Sequence, residues 1–262
     1  MARREIDGIR GILTGASSGI GQALARELAL SGAQLVIVAR RAERLEALAQ
    51  ELHDAPGRVE CVPGDITLDQ TRTAAIERAR DAFGGLDLVV NNAGTGAMGQ
   101  FAETAPERLR QVMELNFFAA AELTRSALPL LVEGRHPIVV NVSSVLGHRG
   151  VPGYSEYCAS KFAMQGLSES LRAEFAPLGI DLLVVSPGRT ETEFFDSAIG
   201  AQGRPWKELP TMTPEAVARQ IAWAIRRGKH EIVISRGGKL LVWSSRLFPG
   251  VLDWVLARQT GK

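Results

Sequence analysis

Short apolar runs recur along the chain at residues 10–14, 34–39, 59–63, 86–90, 138–140, 180–185 and 231–234. They are rich in Val, Ile and Leu and closed by Gly, Pro, Asn or Asp, which predicts strands. Between them lie helical patterns at 22–30, 42–52, 69–83, 106–132 and 155–177, and another that begins at Pro214. Leu24, Ala25 and Leu28, for example, keep one apolar stripe on the first helix. Strands alternate with helices throughout, with no repeat and no low-complexity linker. That alternation predicts an α/β fold, a doubly wound parallel sheet in three layers, built as one domain over 1–262.

Two segments depart from the alternation. Residues 189–212 have little pattern, as expected of a substrate lid. Residues 238–262 form a C-terminal extension, read as a helical tail, with Leu240, Leu241, Trp243, Phe248 and Trp254 among sparse cations. Its first expectation is packing on its own domain. Covering a substrate mouth, lying on a membrane and making a subunit contact are the alternatives.

Composition narrows the class. The 262 residues are 45% hydrophobic and 23% charged, an ordinary globular balance. A net charge of +1 supplies no field for nucleic acid. Cys61 and Cys158 are too few for a disulfide framework. His53, His136, His148 and His230 are scattered without ligand spacing, so no metal site is expected. The N-terminal residues carry no apolar leader and no run reaches a membrane span, so a cytoplasmic location is the expectation.

Candidate chemistry gathers at strand ends. Tyr157 and Lys161 are four residues apart in a helical stretch, hence on one face. Bringing a phenol from pKa near 10 to about 7 takes roughly 4 kcal/mol. A positive charge about 4 Å away, at an effective dielectric of about 20, supplies that much. The pair is therefore a candidate general acid or base. Ser144 follows the 138–140 strand, at the sheet edge where open α/β folds bind ligands. Gly15, Gly19 and Gly21 lie in a turn between a strand and a helix, where backbone N–H groups can approach a phosphate. The second strand ends in Ala39-Arg40-Arg41, where an acidic residue would bind a ribose 2′-hydroxyl. An arginine there pairs instead with a 2′-phosphate. Asn116 is a polar residue inside an apolar helical stretch and needs a partner.

Together these motifs resemble the short-chain dehydrogenase/reductase family, in its short single-domain form. They are Thr14-Gly15-Ala16-Ser17-Ser18-Gly19-Ile20-Gly21, Asn91-Asn92-Ala93-Gly94, Asn116, Ser144, Tyr157-x-x-x-Lys161 and Pro187-Gly188-x-x-x-Thr192, in the family's order. The resemblance implies a Rossmann-like fold and an oxidoreductase that moves a hydride between NADP(H) and a small-molecule carbonyl or alcohol. It makes Tyr157 the proton donor or acceptor, and Ser144 the partner of the substrate oxygen. Lys161 lowers the Tyr157 pKa and holds the nicotinamide ribose, and Asn116 anchors a water that relays protons to Lys161. Asn91 ties the sheet together.

The same resemblance assigns Gly15, Ser17, Ser18, Gly19, Ile20 and Gly21 to the dinucleotide turn. Asp65 and Ile66 flank the adenine, and Asn92, Ala93 and Gly94 lie along the cofactor. Pro187, Gly188, Thr190 and Thr192 hold the nicotinamide end. Arg40 is expected to select NADP(H), with Arg41 a weaker contact or solvent-facing. Because Ser18 is not basic, a preference rather than exclusion of NAD(H) is expected. Phe194, Phe195, Trp206 and Met212 in the lid suggest an apolar substrate. A homodimer built by the helices of Asn116 and Tyr157 is the expected assembly. The competing functions are a catalytically silent nucleotide-sensing protein and a membrane-associated lipid-modifying reductase.

Overall fold

Strands of a parallel sheet are covered on both faces, so they carry apolar side chains at nearly every position. Strands β4 (Leu88–Asn91) and β5 (Ile138–Val142) are buried along their whole length. They form the middle of a seven-stranded sheet with β1 (Arg10–Thr14), β2 (Gln34–Ala39), β3 (Arg58–Pro63), β6 (Asp181–Pro187) and β7 (Glu231–Ile234). The computed structural model describes residues 4–194, 198–200 and 211–260. The order is β3-β2-β1-β4-β5-β6-β7 and every pairing is parallel. The winding reverses between β1 and β4, which opens a crevice beyond their C-terminal ends.

The helices are α1 (Gly19–Ala29), α2 (Ala42–Glu51), α3 (Asp69–Phe83), α4 (Pro106–Met113), α5 (Ala119–Val132), α6 (Ser155–Phe175), α7 (Pro214–Arg226), α8 (Arg236–Leu247) and α9 (Pro249–Thr260). Side chains alternate across each strand, so one strand feeds two cores. Leu13 packs with Leu24, Leu28, Leu45 and Ile225 on one face. Ile12 packs with Ala75, Leu123, Leu131 and Phe175 on the other. These are the three layers of a doubly wound, Rossmann-like fold.

Some boundaries differ from the sequence pattern. Helix α1 starts at Gly19, earlier than its apolar stripe, because glycine contributes no side chain to a stripe. The expected helix at 106–132 is interrupted by a π-helical turn, Glu114–Phe118, centred on Asn116. Such turns often mark functional positions. The C-terminal tail is helical, but own-domain packing holds only in part. Among the described side chains of α8 and α9, Gly238 and Val242 alone are buried. In the lid, Thr190 bridges Met212 and Ala97 bridges Ile199. Phe195 and Trp206 lie outside the described residues.

Candidate active site

At the end of β1 the chain turns on Gly15, whose φ of +69° favours glycine. A Cβ on Gly21 would come within 2.2 Å of the Gly15 carbonyl oxygen, so α1 packs directly on the turn. Ser18 caps α1 without a side-chain hydrogen bond to its first N–H groups. That leaves a positive helix end facing the cleft, which fits a pyrophosphate. Thr14 Oγ accepts the backbone N–H groups of Asn92 and Ala93, both at 3.0 Å. The Asn92 amide returns the tie by donating to the Thr14 carbonyl at 2.9 Å. This clamp joins the ends of β1 and β4 and shapes the cleft floor.

Deeper in the sheet, Asn91 donates to Thr124 Oγ at 2.9 Å and to Asn141 Oδ1 at 2.8 Å. Asn141 donates onward to Ser168 Oγ at 2.9 Å. The amide chain locks β4, β5, α5 and α6 in register, the structural task expected of Asn91.

Ser144 follows β5, and its Oγ accepts the Leu146 N–H at 3.1 Å. Its side chain is also hydrogen-bonded to Tyr157. Tyr157 and Lys161 are each 4% exposed. Burial raises the Tyr157 pKa well above that of a free phenol, against the smaller opposite pull of Ser144. Burial lowers Lys161 to about 8. Its Nζ donates to the Val142 carbonyl at 2.9 Å and lies 5.8 Å from the centre of the Tyr157 ring. The expected lowering of the Tyr157 pKa by Lys161 is therefore not met in this geometry. Desolvation outweighs an ammonium that points at a carbonyl.

Asn116 is fully buried in the π-helical turn. Its Oδ1 accepts the Thr95 N–H at 2.8 Å, and its Nδ2 donates to the Thr95 carbonyl at 2.9 Å and to Ser160 Oγ at 3.0 Å. It thus pins the loop after β4 to α6, the helix of Tyr157 and Lys161. A Cβ on Gly94 would sit 3.1 Å from Asn116 Oδ1 and 3.7 Å from Lys161 Nζ. Asn116 and Lys161 are therefore neighbours across bare backbone, although Asn116 itself lies behind the cleft wall.

Apart from Asn116, every site residue expected from the sequence lines one cleft of about 1860 Å³. At the end of the cleft beside the glycine turn the two arginines are placed differently. Arg40 is exposed at the rim. Arg41 faces the glycine turn, donating to Ser17 Oγ at 3.1 and 3.2 Å and to Ser18 Oγ at 2.7 Å. Arg41 and Arg44 both donate to the Glu193 carboxylate from the lid, at 3.0 Å each. Arg40 follows the end of β2 at Ala39, Arg41 is the extended N-cap residue of α2, and Arg44 lies in that helix's first turn. Sequence reasoning missed both Arg44 and Glu193, which meet only because residues 149 positions apart are packed together.

The other end is apolar. Met98, Leu146, Val151, Tyr154 and Phe194 line it, joined by Leu241 and Leu256 from the tail. Phe194 meets Tyr157 edge to face at 5.7 Å. Behind this wall Arg108 forms a buried ion pair with Glu156, next to Tyr157, and donates to the Met98 carbonyl at 3.0 Å. Sequence reasoning missed this brace, whose partners are far apart in the chain and carry no shared motif.

A family profile for short chain dehydrogenases matches residues 11–202. A cattle protein named dehydrogenase/reductase SDR family member 7B is 35% identical over 96% of this chain and 81% of its own length. A Burkholderia cenocepacia short chain dehydrogenase solved with NADP is 28% identical, with a TM-score of 0.80 over 90% of this chain and all of its own. A Burkholderia phymatum short chain dehydrogenase/reductase solved with NAD shares the fold, with a TM-score of 0.84 over 93% of this chain, 94% of its own, and 24% identity.

Proposed function

We propose that this chain, which belongs to the short-chain dehydrogenase/reductase family, is an NADP(H)-dependent oxidoreductase that interconverts a carbonyl and a secondary alcohol on an apolar substrate. The observation that carries the reading is the buried, hydrogen-bonded Ser144–Tyr157 pair with Lys161, set in the same cleft as the glycine turn.

The uncapped α1 terminus and glycine turn fit a dinucleotide, with Gly94, Pro187, Gly188, Thr190 and Thr192 along the cleft. When bound, that cofactor supplies or accepts a hydride. The chain's own task is the proton. Burial keeps Tyr157 protonated at neutral pH, so its hydroxyl gives a proton to a substrate oxygen during reduction. Ser144 donates a hydrogen bond to the same oxygen. As the phenolate forms, the Lys161 ammonium is the charge close enough to stabilise it. In the reverse direction the phenolate takes the proton of an alcohol.

Arg41 and Arg44, with the hydroxyls of Ser17 and Ser18, support selection of a 2′-phosphate. Glu193 already occupies that cluster and must yield to the phosphate, so the preference over NAD(H) is moderate. Met98, Leu146, Val151 and Phe194 support an apolar substrate. Exposed Phe118, Val132 and Phe162 on α5, α6 and the adjoining π-helical turn support a homodimer through that face.

The test is a titration of NADPH and NADH into purified protein, followed by a screen of ketones and secondary alcohols. Tighter NADPH binding and turnover that is lost in Tyr157→Phe are expected. Tighter NADH binding, or full turnover in the variant, overturns the reading.

A further inference from the structure

Helices α8 and α9 carry apolar surface left uncovered by the described residues. Leu240, Trp243, Leu247, Phe248, Val251 and Trp254 are each more than half exposed. Residues 240, 243 and 247 follow i, i+3, i+7 spacing and form one stripe on α8; 251 and 254 start a second on α9. Gly238 and Val242 of α8 turn inward, so the stripe is the helix's outer side. Phe248 stands at the elbow, where the two helices bend by 115°.

Charge surrounds the stripes. Arg236, Lys239, Arg246 and Arg258 are exposed. The single acid in α8 and α9, Asp253, is paired to Arg149. Arg258 stacks 3.6 Å over the Trp254 ring, so a cation and an amphipathic indole share one spot. The patch also borders the cleft, because Leu241 and Leu256 line it from the same two helices.

We propose that the α8–α9 hairpin seats the protein on an anionic lipid surface, with the aromatic stripes in the headgroup–acyl boundary and the cleft mouth turned toward the bilayer. Each helix has 12 residues, about 18 Å, which is too short to cross a core of about 30 Å. The helices therefore lie in the interface, with tryptophan and leucine below and cations among the headgroups. A second copy is a poorer occupant. A two-fold contact would set these cations against their own kind, and the acid between them is already paired. The further consequence, that an apolar alcohol or ketone enters the cleft from the lipid, rests on the function proposed above.

The experiment is flotation of the full chain with vesicles of phosphatidylglycerol and phosphatidylcholine, or of phosphatidylcholine alone. The wild type should float with the anionic vesicles and be released by salt. The double variant Trp243→Ser/Trp254→Ser, checked for an unchanged melting temperature, should lose about tenfold or more in partition. Arg246→Glu/Arg258→Glu should lose binding to the anionic vesicles. The proposal fails if the wild type stays soluble with every vesicle, or if the tryptophan variant floats equally well. It also fails if light scattering shows a dimer that the tryptophan variant dissociates, which would assign the patch to a second copy. Flotation is read without turnover, so it stands or falls separately from the proposed reaction.

Discussion

Lys161 and Arg41 are two cations on one cleft, and burial gives them opposite chemistry. Lys161 is almost fully enclosed and meets a carbonyl and an aromatic ring, so its proton is loosened to about 8. Arg41 stands at the solvent edge between two hydroxyls and a carboxylate, where the planar fork of its guanidinium matters. In the proposed function the buried end of the cleft changes protonation state and the exposed end recognises a fixed charge. Tyr157 belongs with Lys161, because desolvation sets its pKa more strongly than any neighbour does.

The sharpest way to break this contrast is Tyr157→Phe. It should reduce turnover by on the order of a thousandfold, while the cofactor dissociation constant, read by fluorescence, stays within a few-fold. Loss of cofactor binding to the same extent would show that the hydroxyl serves the cofactor rather than the proton.

Next in size is the brace behind the apolar wall. Arg108→Ala leaves Glu156 buried without its partner and should cost about 3–5 kcal/mol in denaturant unfolding. A loss no larger than that of an exposed pair would mean that water reaches Glu156.

The pH dependence follows from Lys161. Below about 8 it is charged and supports the forming phenolate; above that value the support is lost. With cofactor saturating, carbonyl reduction should therefore fall along a limb near that pH. Lys161→Met should be slow and lack the limb. A profile that is flat to well above 8 in the wild type would separate Lys161 from the proton step.

At the exposed end, Arg41→Ala should weaken NADP(H) by roughly tenfold and leave NAD(H) nearly unchanged, with a smaller effect for Arg40→Ala. The reverse ranking in a titration would return the main contact to Arg40. The smallest effect belongs to Glu193→Gln. Removing the carboxylate that competes for Arg41 and Arg44 should tighten NADP(H) a few-fold, the scale of an exposed pair. Unchanged or weaker binding would show that Glu193 helps hold the arginines for the phosphate.

Local chemistry made the glycine turn, the Asn91–Gly94 strand end and the Tyr157–Lys161 pair legible, because each is a contiguous motif bound to one element's geometry. Asn116 was recognisable as a misfit in an apolar helix, though its turn was not, since a π-helical turn depends on what the amide finds outside its own helix. Arg40 and Arg41 read alike as letters. Only the folded turn between β2 and α2 decided which one meets Ser17 and Ser18.

The sequence by itself determined the alternation of strands and helices, hence the doubly wound sheet and the edge at which the motifs gather. Periodicity and turn chemistry are properties of neighbours along the chain. Tertiary structure alone decided that Lys161 and Tyr157 are enclosed, that Glu193 crosses to the arginines, and that Arg108 finds Glu156. It also decided that the tail's aromatic stripes face outward. Dielectric environment and distant pairing arise only when segments far apart in sequence are packed together, and it is these that set the environment of Tyr157 and Lys161, the arginine cluster at the cleft edge and the open surface of this protein.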